Sequence, residues 1–114
     1  MNPEVSKWMN DIFKSVNLID SYLIDVSNLS DYKNNLLLVD AVERRLAIIG
    51  EALWCADKKD KSLNISNKNK IVSLRHILVH DYDLIEDDAI WIICKKHLPI
   101  LKQEVEVILK NQYP

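Results

Sequence analysis

Apolar residues recur at intervals of three and four along most of the 114-residue chain. Near the N-terminus Val5, Trp8, Ile12, Val16, Ile19, Leu23 and Val26 form one continuous stripe, the pattern of an amphipathic helix. Asn2 can cap that helix, Pro3 suits its first position, and Glu4 suits its first turn. Residues 27–31 read as a turn, with Ser30 or Asp31 capping the next helix. In that second helix Leu38, Val42, Leu46, Ile49 and Leu53 make the stripe, and the run Leu36-Leu37-Leu38-Val39 adds apolar residues outside it. A helix of this kind is expected to bury more than one face, in the middle of a bundle or at an oligomer interface. Gly50 lies inside it, where glycine costs ~1 kcal/mol relative to alanine. Close approach of another helix or a ligand would explain it.

Residues 57–70 are polar and hold five lysines against two aspartates. They read as the main linker, either a solvated loop or a contact for an RNA backbone. Ser66 or Asn67 is placed to cap a third helix, with Ile71, Leu74, Leu78 and Tyr82 as its stripe and an end near Asp83. Glu86, Asp87 and Asp88 suit the first turn of a fourth, in which Trp91, Cys94, Leu98, Leu101, Val105 and Ile108 repeat. Pro99 falls within that run. It lacks an N–H and crowds the preceding turn, so a kink or break is predicted there, with residue 98 pushed out of helical geometry. No segment alternates like a strand, and no internal repeat or second domain is visible. The prediction is an all-α fold: an antiparallel up-and-down bundle of four main helices in a single domain, 1–114.

Composition narrows this further. One glycine in the whole chain is too few for the tight turns of an all-β fold, and 48% hydrophobic residues count against disorder. A net charge of -2 gives no global nucleic-acid signal, so any RNA contact must be a local patch. Cys55 and Cys94 form no CxxC pair and are expected to be buried and reduced. The N-terminus lacks the basic-then-apolar pattern of a signal peptide, and no run approaches the ~18 apolar residues of a membrane span. A cytoplasmic protein without a membrane partner is expected.

The segment from Leu74 to Tyr82 concentrates the chemistry: Arg75, His76, His80, Asp81 and Tyr82. Imidazole moves protons near neutral pH, and guanidinium grips phosphate through paired donors, so the set suits phosphoryl chemistry. On a straight helix Arg75 and His80 diverge by ~140°. They can share one phosphate only if the helix loosens near His80 or two chains meet there. His76 and His80 have the i, i+4 spacing of two metal ligands, but only Asp81 or Asp83 offers a third. Hydrogen-bonded histidines at a helix end are the plainer alternative. Glycine-rich phosphate loops and Ser/His/Asp signatures are absent.

Arg75, a polar His76, a short spacer and His80 resemble the mark of the HEPN superfamily. Extended to Tyr82, the pattern is Arg-x4-His-x-Tyr, as in its HepT-like toxin ribonuclease branch. Two flanking stretches are similar to the same branch: 40–53 (DAVERRLAIIGEAL) and 90–109 (IWIICKKHLPILKQEVEVIL). The three blocks occur in order over most of residues 40–109, whereas the first helix fits only by its apolar pattern. The resemblance implies a homodimer whose Arg/His motifs line one cleft, metal-independent RNA cleavage, and no cofactor. It also implies a toxin–antitoxin pair, in which a nucleotidyltransferase antitoxin silences the toxin by moving AMP onto Tyr82. In that scheme Arg75 and His80 are catalytic and His76, where asparagine is common, supports them. The alternative is a non-catalytic subunit that binds a nucleotide or the nucleotidyltransferase.

Overall fold

The computed structural model describes residues 2–111 and, at Tyr82, the backbone alone. It contains helices α1 (Pro3–Tyr22), α2 (Leu29–Lys33), α3 (Leu36–Lys59), α4 (Lys68–His80), α5 (Asp87–Ile92) and α6 (Leu98–Lys110). No strand occurs among the described residues. Asn2 caps α1 as expected, its Oδ1 accepting from the Glu4 N–H at 2.7 Å.

The next caps differ from the prediction. Asn28, not Ser30 or Asp31, caps the five-residue α2, and Asn35 caps α3 by accepting from the Leu38 N–H. Asparagine is as good a cap as serine or aspartate, and two of them divide the expected turn into two helical starts. The short α2 serves to deliver Tyr32, which is fully buried with its ring centroid 5.7 Å from that of Trp91.

The linker is shorter than its composition suggested. Asp57, Lys58 and Lys59 end α3, Lys68 opens α4, and only 60–67 connects them. Lysines suit a helix C-terminus, and Asp57 ties both ends together through Lys61 at 3.4 Å and Lys68 at 2.6 Å. Asn67 turns the chain into α4 with φ of 58°, a left-handed conformation that asparagine tolerates, and makes no side-chain cap. Ser66 instead donates through N–H and Oγ to Glu104 of α6.

At its far end α4 stops at His80, three residues early, and a 3₁₀ turn covers Tyr82–Leu84. Beyond α5 comes a π turn, Ile93–His97, in which the Leu98 N–H reaches the Ile93 carbonyl. This turn is the break expected near Pro99, but it spares residue 98, which stays helical at φ −64°, ψ −37°. The widened turn makes room for the proline ring, which sits in the first turn of α6, where the missing N–H costs least.

Ion pairs give the directions of the helices. Lys59 at the end of α3 meets Glu4 at the start of α1, and Lys68 and Arg75 of α4 meet Asp57 and Glu51 of α3 in reverse order, so α1 and α3, then α3 and α4, run antiparallel. Helix α3 packs between α1 and α4, and α6 lies against α1. The four long elements are thus the predicted up-and-down bundle. Its core is drawn mainly from the predicted stripes: Val5, Ile12, Val16 and Ile19 from α1, Leu38, Val42, Leu46, Ile49 and Leu53 from α3, Leu98, Leu101 and Val105 from α6. Trp8, Leu78, Trp91 and Ile108 of those stripes are only half-buried, and Met9, Tyr32 and Ile90 join the core from outside them. Deleting one such side chain to alanine costs ~2–5 kcal/mol. Of the apolar residues of α3 outside its stripe, Val39 is buried in this core, whereas Leu36 and Leu37 in the first turn are 74% and 83% exposed. Cys94 is buried, and burial raises its thiol pKa to about 12, whereas Cys55 is only half-buried. No helix among the described residues is long and apolar enough to cross a membrane.

Candidate functional site

Helix α4 lies across α3 at Gly50. A Cβ built there would stand only 2.2 Å from Arg75 Cβ and 3.1 Å from the Ile71 carbonyl oxygen. The glycine is there because α4 backbone and the Arg75 stem occupy the space of a side chain, which is the close approach predicted for it. Arg75 then reaches along α3. Its Nη2 is 2.6 Å from Glu51 Oε2, with the Arg75 side chain 24% exposed and that of Glu51 46% exposed. The contact is a charge contact rather than a well-angled hydrogen bond, and Arg75 Nε has no hydrogen-bond partner among the described residues. Trp54, one turn on, presents its ring 5.6 Å from the guanidinium carbon. Cys55 Sγ donates to the other oxygen of Glu51 at 3.6 Å, and the nearby carboxylate and burial push the Cys55 thiol pKa up.

This arginine opens onto a groove of about 440 Å³ with α3 as its floor and α1 and α4 as its walls. Lys7, Trp8, Arg44, Glu51, Arg75 and Val79 line it. Lys7 is paired with Asp11 at 2.8 Å. Three cations (Lys7, Arg44 and Arg75), the carboxylates of Asp11 and Glu51, an indole and apolar groups here share one concave surface, and its guanidinium groups suit a phosphate-bearing ligand.

His76 and His80 lie on a different face of α4. Their rings pack at 4.9 Å between centroids, both residues are exposed, and His76 Nε2 is 3.8 Å from Asp81 Oδ2. Helix α4 stays α-helical through His80, so the loosening that would bring Arg75 and His80 together within one chain does not occur. The structure brings His76 to His80 and leaves both apart from the Arg75 groove. The Tyr82 side chain is outside the described residues. No group of three or more His, Cys, Asp or Glu side chains placed to hold a metal occurs among the described residues. The third histidine, His97, is half-buried with Nε2 3.4 Å from Lys70 Nζ. Burial first, then Lys70 and Lys96, lower its pKa, so the neutral ring is favoured and accepts from the lysine.

The spacing of the sequence marks Arg75, His76 and His80 but does not single out Glu51, whose partner is a cation on another helix, which no local spacing reveals. The available signal is the order Gly50-Glu51, a helix-breaking residue beside an ionisable one within the run Leu46–Cys55, which holds no other charged side chain. The lysines of the supposed linker are largely engaged within the chain: Lys58 over Trp54, Lys59 with Glu4, Lys61 and Lys68 with Asp57.

The family model for ribonuclease HepT-like proteins matches residues 12–108. Among curated proteins, one named "Putative RNase" from Methanocaldococcus jannaschii is 35% identical over 107 residues, covering 92% of this chain and 96% of the relative. Another of that name and organism is 32% identical over 99 residues, covering 80% and 84%. A third from the same organism, named "Gamma-glutamylcyclotransferase and putative RNase", is 32% identical over 113 residues, which span 97% of this chain and 50% of that longer protein. No solved structure matches the chain.

Proposed function

Because the chain belongs to the HepT-like ribonuclease family, we propose that it is a toxin endoribonuclease acting at a cleft shared by two protomers. The observation that carries the reading is the position of Arg75 on an open groove, with His80 exposed on the neighbouring face of the same helix. One chain does not bring the two together, and a two-fold dimer packed on α4 would. The exposed Leu36 and Leu37 also favour a second chain.

In this mechanism the ribose 2′-oxygen attacks the adjacent phosphorus and the 5′-oxygen of the next nucleotide leaves. His80 takes the proton from the 2′-OH or delivers one to the leaving oxygen, and His76 orients the phosphate or His80. Arg75 neutralises the pentavalent phosphorane. The product is a 2′,3′-cyclic phosphate, and attack by the neighbouring hydroxyl requires no metal.

The partner in this reading is a nucleotidyltransferase antitoxin. The Tyr82 phenol oxygen attacks the α-phosphorus of ATP, loses its proton and releases pyrophosphate. The added AMP brings bulk and negative charge to an anion-binding cleft and so excludes RNA.

Cleavage of a structured RNA in EDTA tests the proposal. Wild-type protein is expected to leave cyclic-phosphate ends, and His80→Ala to be slower by ~10²–10⁴. Equal rates for the two proteins would sink the mechanism. Nucleotide binding without any turnover would instead favour a non-catalytic binding subunit. Intact mass after incubation with ATP and the antitoxin should rise by one AMP in wild type and not in Tyr82→Phe. An AMP gain in that variant would remove Tyr82 as the acceptor.

A further inference from the structure

Arg75 is surrounded by one short stretch of α3. Gly50 removes the atom that would block its stem, Trp54 lies beside the guanidinium, and Glu51 meets one of its nitrogens at 2.6 Å. Cys55 holds the other Glu51 oxygen. The Glu51 side chain is 46% exposed and that of Arg75 24%, while the contacting Glu51 Oε2 is itself buried, so solvent screens the pair only in part and its contribution to stability is modest. Its effect is geometric. A free arginine samples many rotamers over its long stem, and a carboxylate fixed on a rigid helix selects those that reach the groove. The contact occupies Nη2, and Nε is buried without a partner among the described residues, so what remains for an incoming phosphate is the exposed part of the guanidinium that lines the groove.

We propose that Glu51 is a positioning residue for Arg75: it holds the guanidinium at the mouth of the α1–α3–α4 groove so that the remaining donors face the scissile phosphate. This rests on the ribonuclease reading above for the identity of the ligand, but not for the positioning itself. Glu51 does not touch the reacting atoms. It acts by restricting the residue that does, and its charge has a cost, because a carboxylate beside a phosphate site weakens ground-state binding.

The opposed effects make the role testable in the full-length protein with Glu51→Gln and Glu51→Asp. Nitrogen-15 relaxation at the Arg75 Nε–H should show a side chain ordered in wild type, mobile in Glu51→Gln and intermediate in Glu51→Asp. With the structured RNA as substrate, kcat of Glu51→Gln should fall by up to ~10²-fold while KM stays the same or decreases. Glu51→Asp should recover part of kcat. Melting temperatures of all three should agree closely. A purely structural role would lower the melting temperature and leave KM unmoved. An Arg75 Nε–H as ordered in Glu51→Gln as in wild type would overturn the proposal. So would an unchanged or increased kcat, which would make Glu51 only a counter-ion that phosphate displaces. If wild type cleaves no RNA, the ribonuclease reading fails, and the relaxation comparison alone decides for or against Glu51.

Discussion

Arg75 and His76 are neighbours in sequence, yet the two sides of α4 they occupy are built differently. On the Arg75 side the helix presses onto α3 closely enough to need a glycine, and the guanidinium has a carboxylate and an indole against it. On the His76 side the two rings have each other and Asp81, and both residues are open to solvent. One charge is held by its own chain; the proposed proton carriers are not. Preorganisation on one side and its lack on the other is what a half-site shows when its second half comes from elsewhere, whether RNA or a second copy.

The sharpest way to break this comparison is to separate the two sides onto different chains. Arg75→Ala and His80→Ala should each be nearly inactive alone. Mixed and exchanged as dimers, they should regain about a quarter of wild-type RNA cleavage, since half the dimers are mixed and each carries one intact composite site. Recovery of nothing would place Arg75 and His80 of one chain in the same site.

A smaller effect is expected at the crossing itself. Gly50→Ala should raise intrinsic helix propensity by ~1 kcal/mol but force α3 and α4 apart at Arg75 Cβ. Overpacking of this sort costs ~1–3 kcal/mol, so the net change should be zero to mildly destabilising, with Arg75 displaced in either case. Thermal unfolding and RNA cleavage together check this. A stabilised variant with full activity would show that the close approach serves neither packing nor the site.

The smallest effect lies far from the histidines, at Asp57. Hydrogen bonding from Lys68, then from Lys61, lowers its carboxyl pKa against the desolvation that raises it. A depressed carboxyl stabilises the fold above its unfolded pKa, and that contribution disappears as pH falls through the lower folded value. Asp57→Asn should therefore melt below wild type at pH 7, by less than the equivalent of ~1 kcal/mol. The gap should close in acid, below about pH 4. A gap that widened in acid would reverse the assigned sign.

Much of this fold is written locally. The stripes of α1 and α3 each point one way, so burial follows from spacing, and Leu38, Val42, Leu46, Ile49 and Leu53 are all buried as their period requires. Helix ends were harder to read, because asparagine, serine and aspartate compete on nearly equal terms as caps, and Asn28 and Asn35 prevailed through position rather than identity. Lys58 and Lys59 suit a loop as well as the last turn of a helix, which moved the boundary of the linker. At the site the Arg75–His80 spacing was legible and correctly signalled that one straight helix cannot join them. The Glu51–Arg75 pair was not legible, because it depends on how α4 lies over α3, and that is set by the whole core.

The π turn at 93–97 has a consequence for how this chain can change. Such a turn acts as one surplus residue within a helix, so the apolar stripes before and after it are out of phase by that residue. Removing one residue between Ile93 and His97 would take out that surplus and leave a uniform α-helix, with Leu101 and Val105 still facing the core. The same deletion between Leu98 and Leu101, in regular helix, would rotate everything beyond it by ~100° and swing both out of the core. The π turn is therefore the place in this half of the chain where a one-residue change in length can be absorbed.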